Sequence, residues 1–322
     1  MRKHLSTFLK IAITVGGLIY VLTQISFADV QAELANIRWS WAFLALLLVV
    51  VSLVVRAYRW YLLLQGLGVS VRFKRLVELY FVGSFFNSFL PSGFGGDVVR
   101  VLEATQNVPA NVAAGTVIVD RLTGLLMLFA MALIALPFRP DNFPADLTWQ
   151  ITAISIVGLI GGFLLLDGRL IRRWGRWLPG KLSVTDPEKP LAKLLQAVHG
   201  CGWPAIFKAL GVSIIFNFIL CGWWLVSGWS IGYDVPFTHY LLVIPILSVL
   251  LLIPSIGGLG VRETVAPILF ASAGLTFAEA ATLSILNFLL LRISGLFGGP
   301  VYILSLLRKR EAKTTISEAS NP

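Results

Sequence analysis

An all-α, polytopic membrane fold follows from three features of the sequence. The chain has 322 residues, 57% of them hydrophobic and only 13% charged, with a mean hydropathy of +0.83. A soluble domain carries about a quarter charged residues. Several apolar runs reach the ~20 residues that cross a bilayer core as a helix. The runs are continuous in Leu, Ile and Val, without the alternation of a barrel strand. The predicted architecture has about six full transmembrane helices plus two re-entrant hairpins, arranged as an inverted repeat.

The first run, 5–26, follows Met1-Arg2-Lys3-His4. That start resembles a signal peptide, but the many later spans favour an uncleaved helix. Further full spans are expected at 41–64, 112–136, 148–166, 204–230 and 281–307. Two shorter apolar segments, 76–90 and 241–253, run into Gly/Pro-rich breaks.

Charge placement orients these elements. Of 26 Lys and Arg, only Arg38 and Arg139 fall in loops read as external. The internal groups are Arg2, Lys3 and Lys10; Arg56, Arg59, Arg72, Lys74 and Arg75; Arg169 through Lys208; and Arg308, Lys309, Arg310 and Lys313. Asp29, Glu33, Asp141, Asp146 and Asp234 lie outside. The positive-inside rule then makes both termini cytoplasmic in a multi-pass protein of the inner cell membrane. The net charge of +10 is thus a topology signal and an attraction to anionic lipid, not a nucleic-acid patch. Parity requires segment 76–111 to leave from and return to the inside, and 241–280 to do the same from the outside. Both are therefore expected as re-entrant hairpins.

The two breaks resemble each other. Pro91-Ser92-Gly93-Phe94-Gly95-Gly96-Asp97-Val98-Val99-Arg100 aligns with Pro254-Ser255-Ile256-Gly257-Gly258-Leu259-Gly260-Val261-Arg262. Gly68 through Phe73 matches Gly232 through Phe237, and Arg121-Leu122-Thr123-Gly124-Leu125 matches Arg292-Ile293-Ser294-Gly295-Leu296. The unit of span, span, hairpin, span recurs, giving repeats at about 5–136 and 148–307. Broken helices at equivalent places in inverted halves point to a transport site near the midplane.

Pro91 and Pro254 are expected to end the incoming segments. The helices that follow should begin near Asp97 and Leu259, with free N–H groups suited to an anion such as phosphate. Arg100 and Arg262 then fall in the first turns. Arg121 and Arg292 lie near mid-bilayer, where charge is costly and faces the bundle interior or an aqueous path. Gly124 and Gly295 share their faces. Asp120 points away from Arg121 and needs a partner elsewhere, with Arg100 and Arg262 as candidates. Glu263 serves as an internal counter-charge or a proton carrier. Asn87, Asn217 and Asn287 are polar groups at membrane depth, most simply interhelical hydrogen bonds. The candidate substrate-binding set is Asn87, Pro91, Ser92, Gly95, Gly96, Asp97, Arg100, Asp120, Arg121, Gly257, Gly258, Arg262, Glu263 and Arg292.

Other features have plainer readings. Arg169 through Trp177 is basic and aromatic, as in an interfacial segment. Residues 311–322 read as a disordered cytoplasmic tail after a single membrane domain over 1–310. Cys201 and Cys221 are too few for a disulfide framework. There is no nucleotide-binding loop, no nucleophile elbow and no metal-spaced His/Cys cluster, so no cofactor and no metal are expected.

Asn87 through Pro91, Gly95-Gly96-Asp97, Arg100, Asp120-Arg121 and Pro254 through Glu263 resemble the lysylphosphatidylglycerol synthase transmembrane-region family, also described as flippase-like. The likeness covers roughly 5–306. It implies lipid translocation between leaflets. In two-domain members a separate soluble domain makes the aminoacyl lipid, and no such domain occurs in this sequence, so a lysyltransferase is not expected. Stand-alone members are linked to other lipids, including polyprenyl-linked glycans. The expected function is a lipid translocator for a phospholipid or polyprenyl-linked lipid, not an enzyme. The rivals are a membrane enzyme acting on a lipid phosphate, with Asp97 or Glu263 as base, and a non-catalytic subunit of a lipid or envelope-glycan assembly. A membrane lipid is the expected ligand. A second copy of the chain or an enzyme of lipid synthesis is the protein partner considered.

Overall fold

The computed structural model describes residues 37–90, 95–106, 108–141, 143–167, 190–250 and 260–307. The first expected span (5–26), the Gly/Pro-rich breaks with Pro91, Ser92, Gly257 and Gly258, the basic segment 169–177 and the tail lie outside them. All regular structure in the described residues is helical: α1 Trp39–Gly66, α2 Phe73–Phe89, α3 Gly95–Ala104, α4 Ala110–Ala135, α5 Ala145–Asp167, α6 Pro190–Gly200, α7 Trp203–Ser230, α8 Phe237–Leu250, α9 Val261–Phe270 and α10 Phe277–Leu296. Short 3₁₀ turns extend α4 through Phe138 and follow α9 at Ala271–Ala273. Beyond Leu296, α10 continues through a break at Phe297 to Leu307.

Five of these elements are long and apolar enough to cross a membrane: α1, α4 with its extension, α5, α7 and α10 with its continuation. They coincide with the expected spans at 41–64, 112–136, 148–166, 204–230 and 281–307. The protein is polytopic. Outward faces carry large apolar side chains such as Phe43, Val157, Ile160, Phe163, Ile215 and Ile303. This is what a bundle bathed in lipid requires, since lipid tails are as apolar as leucine.

The helix lengths repeat. α1 to α4 have 28, 17, 10 and 26 residues, and α7 to α10 have 28, 14, 10 and 20. The leading helices of the two sets pack along their whole length. Arg38 N at the start of α1 donates to Ser230 O at the end of α7, at 2.8 Å. At the other end, Gly66 meets Cys201 and Ala205. These two helices, equivalent in the repeat, therefore run antiparallel, as an inverted repeat requires. Packing across the halves has the same symmetry: α2 lies on α10 as α8 lies on α4.

The helix pairs α2–α3 and α8–α9 each contain elements shorter than a full span. In the first pair, the backbones approach closely at Gly83 and Gly96. A Cβ on Gly96 would run into the Gly83 carbonyl and the Asn87 amide, and Asn87 Oδ1 accepts from Gly96 N at 2.7 Å. Between the halves, Gly295 and Gly298 of the α10 span let it sit against Ser84, Ser88 and Phe81 of α2. The largest apolar cluster joins α1, α4, α5 and α7 to α8, α9 and α10 around Trp223, Trp224, Tyr240 and Phe270. A second joins α1 to α2, α3 and α4 around Trp60, Leu76 and Tyr80.

Details differ from expectation. Arg56 and Arg59, counted with the cytoplasmic charges although they fall inside the expected 41–64 span, line the inside of the bundle from α1. α3 begins at Gly95, which puts Arg100 in its second turn rather than its first. Pro245 and Pro267 sit inside α8 and α9 without ending them.

Gly96→Val should destabilise the protein by about 1–3 kcal/mol through overpacking. Gly211→Ala, where an added methyl meets nothing within 4 Å, should leave stability unchanged or raise it by a few tenths of a kcal/mol. Thermal unfolding of the two detergent-purified variants checks both signs.

Candidate functional site

A cavity of about 380 Å³ opens between the two halves. Its walls come from α1, α2, α3, α4, α7, α8, α9 and α10. Six arginines line it, Arg56, Arg59, Arg100, Arg121, Arg262 and Arg292, against two aspartates, Asp97 and Asp120. Of the sequence-derived candidates, the structure thus brings together Asn87, Asp97, Arg100, Asp120, Arg121, Arg262 and Arg292. Gly95, Gly96 and Glu263 are buried but do not line the cavity.

Asp120 is the best-connected group. It is 2% exposed, and Arg59 and Arg100 are 3% and 2% exposed. Oδ1 accepts from Arg59 Nε at 2.6 Å, Oδ2 from Arg100 Nη2 at 3.3 Å, and the Tyr80 hydroxyl also donates to Oδ2. Arg59 Nη1 continues to Ser213 Oγ at 3.0 Å. Gly124 is small because the Arg59 guanidinium crosses α4 there. Its role is to admit a charged side chain rather than another helix. Arg100 lies against two aromatic rings, 4.1 Å from the Tyr80 centroid and 4.7 Å from that of Trp60. Of the two partners foreseen for Asp120, Arg100 is used; Arg262 lies with Glu263, and the dominant ligand is Arg59.

The Asp97 carboxylate holds the Arg121 guanidinium and lies 3.5 Å from Arg100. This pair is more open, with 38% and 18% of the two side chains exposed. On the second half, Arg262 Nη2 and Nε meet Glu263 Oε1 at 2.8 and 3.2 Å, and Nε also meets Ser284 Oγ at 2.9 Å. Glu263 Oε2 accepts from Gly260 N at 2.9 Å, which closes the start of α9. Glu263 is therefore an internal counter-charge. Arg292 Nη1 donates to Asn87 O at 2.8 Å, which couples α10 to α2.

Two phenylalanines collect the remaining guanidinium faces. Phe216 receives Arg56 and Arg59, each at 5.4 Å. Phe288 receives Arg292 at 4.4 Å and Arg262 at 5.4 Å. Such cation–π contacts hold a desolvated charge without neutralising it. Asn217 Nδ2 donates to Gly124 O at 3.1 Å, and Asn287 Oδ1 accepts from Ser227 Oγ at 3.3 Å, so both tie helices together. Arg56, Arg59, Tyr80, Phe216 and Phe288 are the residues sequence reasoning missed. A signal existed for the two arginines: they lie inside an apolar run and, three apart, on one helix face. No group of His, Cys, Asp and Glu suited to a metal occurs among the described residues.

Fold and site together define a polytopic α-helical membrane protein whose inverted halves enclose an arginine-rich cavity. The chain belongs to the lysylphosphatidylglycerol synthase TM region family, whose model matches residues 7–297. It is 25% identical over 310 residues to a UPF0104 membrane protein of Pyrococcus horikoshii, covering 86% of this chain and 91% of that one. It is 26% identical over 316 residues to a UPF0104 membrane protein of Methanocaldococcus jannaschii, covering 90% and 91%.

Asp120→Asn should cost about 3–5 kcal/mol, because it leaves the buried Arg59 without a carboxylate and Arg100 with Asp97 alone. Arg75→Gln, which removes a peripheral pair with Glu78 and Glu103 at 3.3 and 3.4 Å, should cost at most about 1 kcal/mol. Comparing the unfolding midpoints of the two variants with the parent tests the ranking.

Proposed function

We propose that this protein translocates a lipid with a phosphate-bearing head group between leaflets of the membrane. The carrying observation is the excess of arginine over carboxylate in a cavity at the interface of two inverted halves. Guanidinium is the fork-shaped donor suited to phosphate. Intramembrane charges facing a cavity characteristically mark substrate paths. In this reading α2–α3 and α8–α9 are re-entrant hairpins, entering from opposite sides, with both termini cytoplasmic. The head group sits between them while the acyl or prenyl chains stay in lipid. Rocking of one half against the other exposes the cavity to each side in turn.

The open Asp97–Arg121 pair is the contact most easily exchanged for a substrate phosphate. The deep Asp120 cluster forms the fixed wall. Membership of a family described by a lipid synthase's membrane region supports a lipid ligand. An enzymatic role is less favoured, because both candidate bases, Asp97 and Glu263, are held by arginines.

The test is leaflet exchange of fluorescent phospholipids and polyprenyl phosphates in liposomes carrying the purified protein. Exchange of one lipid class is expected. Replacing Arg121 and Arg292 together by Gln should slow it at least ~10-fold, the loss of one charge-assisted contact of about 1.4 kcal/mol or more. Full exchange by the folded double variant would reject this site, and no exchange of any lipid would reject the translocator reading.

A further inference from the structure

The cavity's charge is distributed unevenly. Four of its six guanidiniums have a carboxylate partner. Arg59 and Arg100 share Asp120, Arg121 has Asp97, and Arg262 has Glu263. Six guanidiniums against these three carboxylates leave three positive charges.

Arg56 and Arg292 are different. Among the described residues, Arg56 makes one long hydrogen bond, Nε to Ser52 O at 3.4 Å, and lies 5.6 and 5.4 Å from the Tyr80 and Phe216 rings. Arg292 has the Asn87 carbonyl and the Phe288 ring. Neither has a carboxylate within ion-pair distance there. Neither has a buried nitrogen lacking a partner, so the unused N–H groups open onto the cavity that both line.

The repeat accounts for the unpaired Arg292. In the alignment of the two copies, Asp97 corresponds to Leu259 and Asp120 to Leu291. The arginines at the repeat positions 121 and 292 are retained, but the acids that neutralise the first copy are leucines in the second. The lack of a carboxylate beside Arg292 is thus written into the sequence.

We propose that Arg56 and Arg292 are the head-group ligands, and that the head group carries at least two negative charges on one terminal phosphate or diphosphate. This rests on the translocator reading and specifies its substrate. A phosphodiester brings one negative charge. A terminal phosphate monoester brings close to two at neutral pH, and a diphosphate more. Only the latter two balance both open guanidiniums, and an uncompensated charge at membrane depth is costly. Arg56 belongs to the first half and Arg292 to the second. A ligand touching both ties the halves together, which is how substrate binding can select one arrangement of them.

Calorimetric binding of short-chain probes to the intact purified protein in neutral detergent tests this directly. The probes are a prenyl monophosphate, a prenyl diphosphate and a short-chain phosphatidylglycerol. At near-neutral pH and low salt, one or both terminal phosphates should bind at least ~10-fold tighter than the diester, and the tighter of the two names the head group. Arg56→Gln and Arg292→Gln should each weaken terminal-phosphate binding ~10-fold with little effect on the diester, while Arg→Lys at either position keeps the preference. Equal binding of all three probes by the unaltered protein would overturn the two-charge assignment and leave translocation standing. Unchanged preference in the folded Gln variants would overturn the residue assignment. Absence of binding by every probe, together with absence of leaflet exchange, would overturn both this inference and the function beneath it. If the Gln variants do not fold, the ranking of probes on the unaltered protein decides.

Discussion

The carboxylate of Asp120 is the constraint around which this bundle is organised. It is buried among helices that otherwise offer lipid-like side chains, and it binds groups from three of them: Arg59 of α1, Tyr80 of α2 and Arg100 of α3. A lone carboxylate or guanidinium at that depth would be severely penalised, whereas a mutually satisfied cluster tolerates burial. Because hydrophobicity does not drive one apolar helix against another in lipid, such polar contacts together with close packing determine which helices are neighbours. Asp120 thereby fixes the register of α4 against α2 and α3 and holds one wall of the cavity in place.

Close packing supplies the complementary term. Gly83 and Gly96 allow α2 and α3 to touch backbone to backbone. Gly295 and Gly298 do the same for α10 on α2. Gly124 serves a different purpose, making room for Arg59 to reach across α4. The same residue type thus closes one interface and opens a passage for charge through another. The two halves share their helix order and differ in electrostatics. In the first half two aspartates serve Arg59, Arg100 and Arg121, while in the second Glu263 serves Arg262 and Arg292 relies on a ring face and a backbone carbonyl.

Much of the fold was legible in sequence because hydrophobic length is a one-dimensional property. Each described span lies where an apolar run of sufficient length required it, and the Pro-Ser-Gly matches disclosed the repeat that the antiparallel α1–α7 pair displays. Arg56 and Arg59 fell inside the expected 41–64 span but were counted only as orienting charges, so their place in the cavity was not read. The burial of Arg59 depends on Asp120, some sixty residues away, and no local pattern reports that. Gly95, Gly96 and Glu263 looked like ligand contacts because they adjoin the charged motif. In the structure the Gly96 N–H and the Glu263 carboxylate are already engaged by the protein itself.

The sequence alone determined that this chain is a polytopic helical membrane protein with a duplicated unit and arginines at membrane depth. Apolar run length, charge parity and self-similarity are readable without contacts. Only the tertiary structure decided which arginines are neutralised and which face the cavity with charge to spare. Ion pairing is set by distances between side chains on different helices. Those distances follow from how the two halves pack, not from the order of residues within either one.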